Sequence, residues 1–138
     1  MEERAIYISA YDKKRLMSLV AEGLRNKSTE SKSLQNLKDE LDRGIVVEPQ
    51  DIPHDVVTMN STVQFKDLET EEVMIYTLVF PAKADINQNK LSILAPIGTA
   101  LFGYRVGSII EWKVPNGTQR IQIEKILYQP ESEGDFSL

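Results

Sequence analysis

The sequence predicts an α+β chain: a short antiparallel helical hairpin (coiled coil), residues 1–47, then a mainly antiparallel β-sheet domain with one short helix, residues 48–138. Three observations carry this. Apolar residues recur at helical spacing in two early stripes, Leu16, Leu19, Val20, Gly23, Leu24 and then Leu34, Leu37, Leu41. After the prolines at 49 and 53 the period drops from 3.6 to 2. Pro115-Asn116-Gly117, set between alternating apolar runs, is a strong hairpin signal.

Ile6-Tyr7-Ile8 is too short to assign. Ser9 offers an N-cap and Asp12 a capping-box partner, so the first helix is expected over residues 10–26, ~25 Å long. Polar residues 26–33 make the turn. The second stripe is stopped by Gly44 as a C-terminal cap. Facing the stripes pairs Leu24 with Leu34, Val20 with Leu37 and Leu16 with Leu41. Helices this short need each other.

An extended linker follows, marked by Glu48-Pro49 and Ile52-Pro53. Val63 and Phe65 alternate in one strand. Residues 73–80 are apolar on both faces and read as a central strand, joined to the first by the acidic turn 67–72. Residues 95–103 predict a turn and one or two helical turns. Ile110, Trp112 and Val114 alternate, as do Ile121 and Ile123, while Ile126 and Tyr128 fall on the other parity. That shift predicts a bulge near Glu124-Lys125. The tail from Gln129 is acidic and expected to be loosely held.

Composition limits the chemistry. The chain has 138 residues, no cysteine and one histidine, His54, so disulfides, thiolate catalysis and multi-histidine metal sites are excluded. No apolar run approaches the roughly 20 residues of a bilayer span, and no signal peptide opens the chain; a cytoplasmic protein is expected. Residues 1–48 are neutral, so residues 49–138 account for the whole net charge of −5. Phosphates repel such a domain, which argues against sequence-specific DNA binding and for a protein partner with a basic surface.

Residues 92–107, Ser-Ile-Leu-Ala-Pro-Ile-Gly-Thr-Ala-Leu-Phe-Gly-Tyr-Arg-Val-Gly, resemble the signature of the Gre-factor C-terminal domain. Residues 110–117, Ile-Glu-Trp-Lys-Val-Pro-Asn-Gly, match the same domain. Residues 53–61, Pro-His-Asp-Val-Val-Thr-Met-Asn-Ser, and Leu78-Val-Phe-Pro-Ala-Lys83 are similar to the Rnk family, named as regulators of nucleoside diphosphate kinase. The resemblance covers residues 45–138 closely and the hairpin only in plan. It implies an FKBP-like α+β domain carrying a coiled-coil finger. Gre factors dock on core RNA polymerase at the secondary-channel entrance, and their long finger delivers acidic tip residues that help hold a catalytic metal. The docking turn maps to Ala95, Pro96, Ile97 and Gly98, with Ala95 where Gre factors usually carry Ser and Ser108 where they carry an acid.

The finger tip would comprise Arg25, Lys27, Glu30 and Lys32, whose balance is positive. Together with that charge, the resemblance implies a polymerase-binding regulator without catalytic residues, metal or cofactor, which competes with Gre factors and does not stimulate cleavage. Direct contact with nucleoside diphosphate kinase and an FKBP-type prolyl isomerase are the alternatives. His54-Asp55 lacks a nucleophile or second histidine and reads as structural; as strand neighbours the two would point to opposite faces. Asp67, Glu69, Glu71 and Glu72 read as a solvated turn, and Tyr76 and Trp112 as core rather than an isomerase pocket. Pro96 is read both as a turn that positions the short helix and as a polymerase contact.

Overall fold

The computed structural model describes residues 6–25, 31–114 and 117–134, leaving aside the side chains of Ser31, Pro96 and residues 112–114. The chain opens with a short strand, β1 (Tyr7–Ser9), that runs directly into α1 (Ala10–Arg25). The Ser9 Oγ accepts the Asp12 N–H at 3.0 Å, the expected N-cap. Helix α2 (Ser31–Arg43) begins earlier than the polar run suggested, because Lys32 and Ser33 are already helical. Leu16, Val20, Leu34, Leu37 and Leu41 are all buried. Gly23 makes room for the seam: a Cβ there would lie 2.5 Å from the Leu34 Cδ1.

Gly44 does end α2, but not by the expected left-handed cap, since its φ is not positive. It is needed for space, as a Cβ would lie 2.2 Å from the Ile8 Cδ1. The chain then forms β2 (Ile45–Val47), parallel to β1. These two three-residue strands, one in a segment too short to assign and one between Gly44 and the expected linker, were not visible as a sheet. The expected linker, from Glu48 on, is not extended throughout. It contains a 3₁₀ turn at Pro49–Asp51, and Ile52, Val56, Val57 and Met59 are buried.

The main sheet has the order β5-β4-β3-β7-β6, built from β3 (Thr62–Asp67), β4 (Val73–Val79), β5 (Lys90–Ser92), β6 (Ile109–Val114) and β7 (Gly117–Tyr128). Helix α3 (Pro96–Leu101) lies between β5 and β6 in the chain. The sheet is mixed rather than purely antiparallel, because β5 runs parallel to β4. Val63, Phe65, Leu78, Ile110, Ile121 and Ile123 are buried in one core that also takes in the hairpin leucines. Strand β4 is buried on one side only near its start. Val73 and Ile75 are exposed, and Tyr76 on the other side stacks on Phe65 with ring centroids 5.9 Å apart.

The parity shift in β7 is a bulge, as expected. Gln64 pairs with Lys125 and Phe65 with Ile123, so Glu124 is extra. A second shift leaves Leu127 extra, between Ile126 and Tyr128. Val114 pairs with Gly117 across the β6–β7 hairpin, whose Pro115-Asn116 tip lies outside the described residues. Over its described residues, 129–134, the tail is held where a loose end was expected. Gln129 is buried, and its Nε2 donates to the carbonyls of Pro53 (2.9 Å) and Val56 (2.7 Å).

Candidate protein-docking site

The turn at residues 95–98 is built by short-range bonds that leave little freedom. The Ser92 Oγ accepts the Leu94 N–H at 3.0 Å, and the Ser92 carbonyl accepts the Ala95 N–H at 3.0 Å. Pro at N1 of α3 has no N–H to lose, and its fixed φ suits the helix start. The Thr99 Oγ1 donates back to the Ile93 carbonyl at 2.6 Å, closing the loop. Gly98 is buried against β5, and a Cβ would lie 2.2 Å from the Ser92 carbonyl oxygen. Ala95 and Ile97 are half-buried and pack on the core, so Ile97 both supports the fold and shows part of its surface.

Beside this turn, α2, α3 and β6 enclose a groove of about 590 Å³. Leu94, Ala100 and Ile110 give it an apolar floor, and Asp39 and Glu111 an acidic rim opposed by Lys32. Strand β6, paired on one side only among the described residues, supplies Ile110 and Glu111 to the groove. Sequence reasoning missed this groove, because it is assembled from three segments with no common motif.

The candidate tip residues are not gathered into one described cluster. Arg25 is exposed in the last turn of α1, and Lys32 is exposed at the groove rim. Lys27 and Glu30 lie outside the described residues. Among the described residues no group of three His, Cys, Asp or Glu side chains is placed to hold a metal ion, and no helix is long and apolar enough to cross a membrane.

His54-Asp55 sits in a turn, not a strand. Asp55 accepts two bonds from Arg105, at 3.0 and 2.9 Å, while His54 is exposed. Asp67 takes the Glu69 and Thr70 N–H groups at 2.8 and 3.2 Å, besides Gln119. Those bonds, that of Gln119 first, hold its carboxyl below the usual range. Glu69 pairs with Arg120 at 3.0 Å, so the acidic turn is partly neutralised at its own surface. Tyr76 lies in the core contact described above, and the Trp112 side chain is outside the described set.

One polar cluster escaped the sequence reading. Asp12, read as a capping residue, is buried at 1% exposure, and its carboxylate interacts with the Ser9 side chain at the helix start and also reaches beyond the helix. It accepts Arg15 Nη2 at 2.7 Å and the Met59 N–H at 3.2 Å. Desolvation is the largest influence on it and raises its pKa, against the bonds from Arg15 and Met59.

Comparison with known proteins agrees with this architecture. The family model "Transcription elongation factor, GreA/GreB, C-term" matches residues 52–128, and "Rnk N-terminus" matches residues 4–47. The Escherichia coli K12 "Regulator of nucleoside diphosphate kinase" is 47% identical over 103 residues, 74% of this chain and 76% of that protein. Transcription elongation factor GreA of Alkaliphilus oremlandii is 36% identical over 93 residues, 67% of this chain but only 58% of its own length. A solved GreA/GreB elongation factor from Nitrosomonas europaea superposes with a TM-score of 0.70 at 39% identity, covering 91% of this chain and all of that one. It shares the mixed α+β plan of a helix-turn-helix followed by a sheet. The chain belongs to the GreA/GreB family, as a Rnk-type member that joins a Rnk N-terminus to a GreA/GreB C-terminal domain.

Proposed function

We propose that this protein is a non-catalytic regulator of transcription that docks on core RNA polymerase near the secondary channel and competes there with Gre-type factors. The observation that carries this reading is the rigid 95–98 turn set beside an acid-rimmed groove on a GreA/GreB-type domain. An apolar turn next to acidic side chains suits a partner surface that is apolar at its centre and basic around it. The sheet domain then acts as an FKBP-like platform, and Ala95, Pro96, Ile97 and Gly98 are its contact turn.

The hairpin supports binding without chemistry. Metal-assisted hydrolysis needs carboxylates at the ion, whereas Arg25, Lys27 and Lys32 outnumber Glu30 along the candidate tip. Helix α1, with 16 residues, is only about 24 Å long. The protein at saturation should therefore leave RNA in backtracked elongation complexes at the intrinsic cleavage rate. Shortening well above that rate contradicts the non-catalytic reading.

Binding itself is tested with Ile97→Asp. The side chain is half-buried, so the variant is compared with wild type both in thermal melting and in affinity for immobilised core polymerase. The expected result is at least a tenfold loss of affinity, about 1.4 kcal/mol, at a temperature where the variant is still folded. Native-like affinity removes the turn from the interface.

A further inference from the structure

Hydrogen bonds from three separate parts of the chain meet at the root of the helical hairpin. From α1 come Asp12 and Arg15; from the turn before β3 come Thr58, Met59 and Ser61; from the tail after β7 comes Glu131. We propose that this cluster is the joint that fixes the angle at which the hairpin stands on the sheet domain, with Asp12 and Glu131 as its positioning residues.

The bonds form two runs that meet at the neighbouring residues Thr58 and Met59. Glu131 Oε1 accepts the Thr58 hydroxyl at 2.7 Å. The Thr58 and Ser61 hydroxyls lie 2.8 Å apart, and Ser61 Oγ also accepts the Thr58 N–H at 2.9 Å. The next N–H, that of Met59, reaches across 47 residues of sequence to Asp12. The turn is tied to the sheet in its own right, since Asn60 N–H donates to the Leu78 carbonyl and Leu78 N–H to the Ser61 carbonyl. Gln129, with Ser132 bonded to its Oε1, anchors the tail to Pro53 and Val56.

Arg15 makes the second tie across the joint. Its guanidinium lies over the Tyr11 ring of its own helix at 4.0 Å and over Phe80, which follows β4, at 4.7 Å. Its buried Nε has no hydrogen-bond partner among the described residues. The apolar contacts between hairpin and sheet are non-directional and tolerate sliding, whereas hydrogen bonds weaken steeply with angle. Orientation is therefore set by the polar groups, although burying them is costly.

The joint is also sensitive to protons. Desolvation raises both carboxyls above their ordinary values, and the Asp12 charge raises Glu131 further while Arg15 opposes it. The charged groups facing Glu131 are thus Asp12 and Arg15, and those facing Asp12 are Arg15 and Glu131. A carboxyl raised by docking favours the docked state most below its ordinary pKa, and that advantage is lost as pH rises through the raised value. The joint should hold more tightly in acid and loosen as pH rises.

Because the chain has no cysteine, Glu22→Cys on α1 and Lys125→Cys on β7, both exposed, accept a pair of spin labels in the full-length protein. The expected result is a single narrow distance distribution that becomes about twofold wider with Asp12→Ala or Glu131→Ala while helical circular dichroism is retained. Asp12→Asn keeps an acceptor for the Met59 N–H and should restore part of the narrowness. As pH rises from below the ordinary glutamate value of 4.5 the parent distribution should widen, and Glu131→Gln should reduce that widening. If Asp12→Ala does not fold, Glu131→Ala, on the half-buried tail, decides the matter. An unchanged width in Glu131→Ala, with or without a folded Asp12→Ala, overturns the joint. Polymerase plays no part in this measurement, so its outcome is independent of the proposed function.

Discussion

Leu37→Asp abolishes the cooperative thermal transition of the whole protein, not only its helical signal. Leu37 is fully buried in the hairpin seam, at 0% exposure. The seam belongs to the same core cluster as Phe65, Ile121 and Ile123 of the sheet. The substitution removes a side chain whose burial contributes about 2 kcal/mol. It also places a carboxylate among the buried apolar side chains of the seam, which adds several kcal/mol more. A domain of this size has a total of about 5–15 kcal/mol to lose. Melting followed by circular dichroism, together with near-ultraviolet signals from the sheet, should show both collapsing together. Helix loss with an intact sheet transition would show that the two layers are stabilised separately.

Gly98→Ala is the second large effect, out of proportion to one methyl group. The added Cβ meets a backbone oxygen, that of Ser92, at 2.2 Å, with the Ser92 carbonyl carbon at 3.1 Å and the Ile93 Cα at 3.3 Å. A backbone wall cannot rotate away, so α3 must lift from β5 and strain the Thr99–Ile93 bond. The expected cost is about 2–3 kcal/mol, at the upper end of overpacking, read as a lower urea midpoint at unchanged slope. Gly44→Ala makes an equally close approach, but to a side-chain methyl, the Ile8 Cδ1. That rotor has more ways to yield, so Gly44→Ala should cost less. Equal costs at the two positions would mean that α3 is not held rigidly against β5. The pair matters for function, because Gly98 sits inside the candidate docking turn.

Much of this fold was legible because its signals are local. The leucine stripes, the Ser9 cap, the 95–103 turn and the β7 parity shift are each written in a short run of residues. What escaped is held by distant partners. Strands β1 and β2 are three residues long and pair across more than thirty residues, too short for a period to appear. The tail composition predicted looseness, yet Gln129 and Glu131 are fixed by carbonyls and a hydroxyl far away in sequence. Gly44 stopped its helix as read, for a reason that only the position of Ile8 reveals.

The candidate site divides in the same way. Its turn, residues 95–98, is one continuous motif and could be named from sequence, whereas its groove draws Lys32, Leu94 and Glu111 from three segments. Asp12 was assigned the local role that its spacing after Ser9 suggested. It keeps that role, and burial adds Met59, a partner that no periodicity announces.

The most direct test of the central claim is displacement. A fluorescently labelled Gre factor is bound to core RNA polymerase, and this protein is titrated in while anisotropy is followed. The account predicts a complete fall to the value of free labelled factor, with Ile97→Asp requiring at least about tenfold more protein at the same endpoint. An anisotropy that does not fall at saturating protein, with both factors bound together, would contradict it.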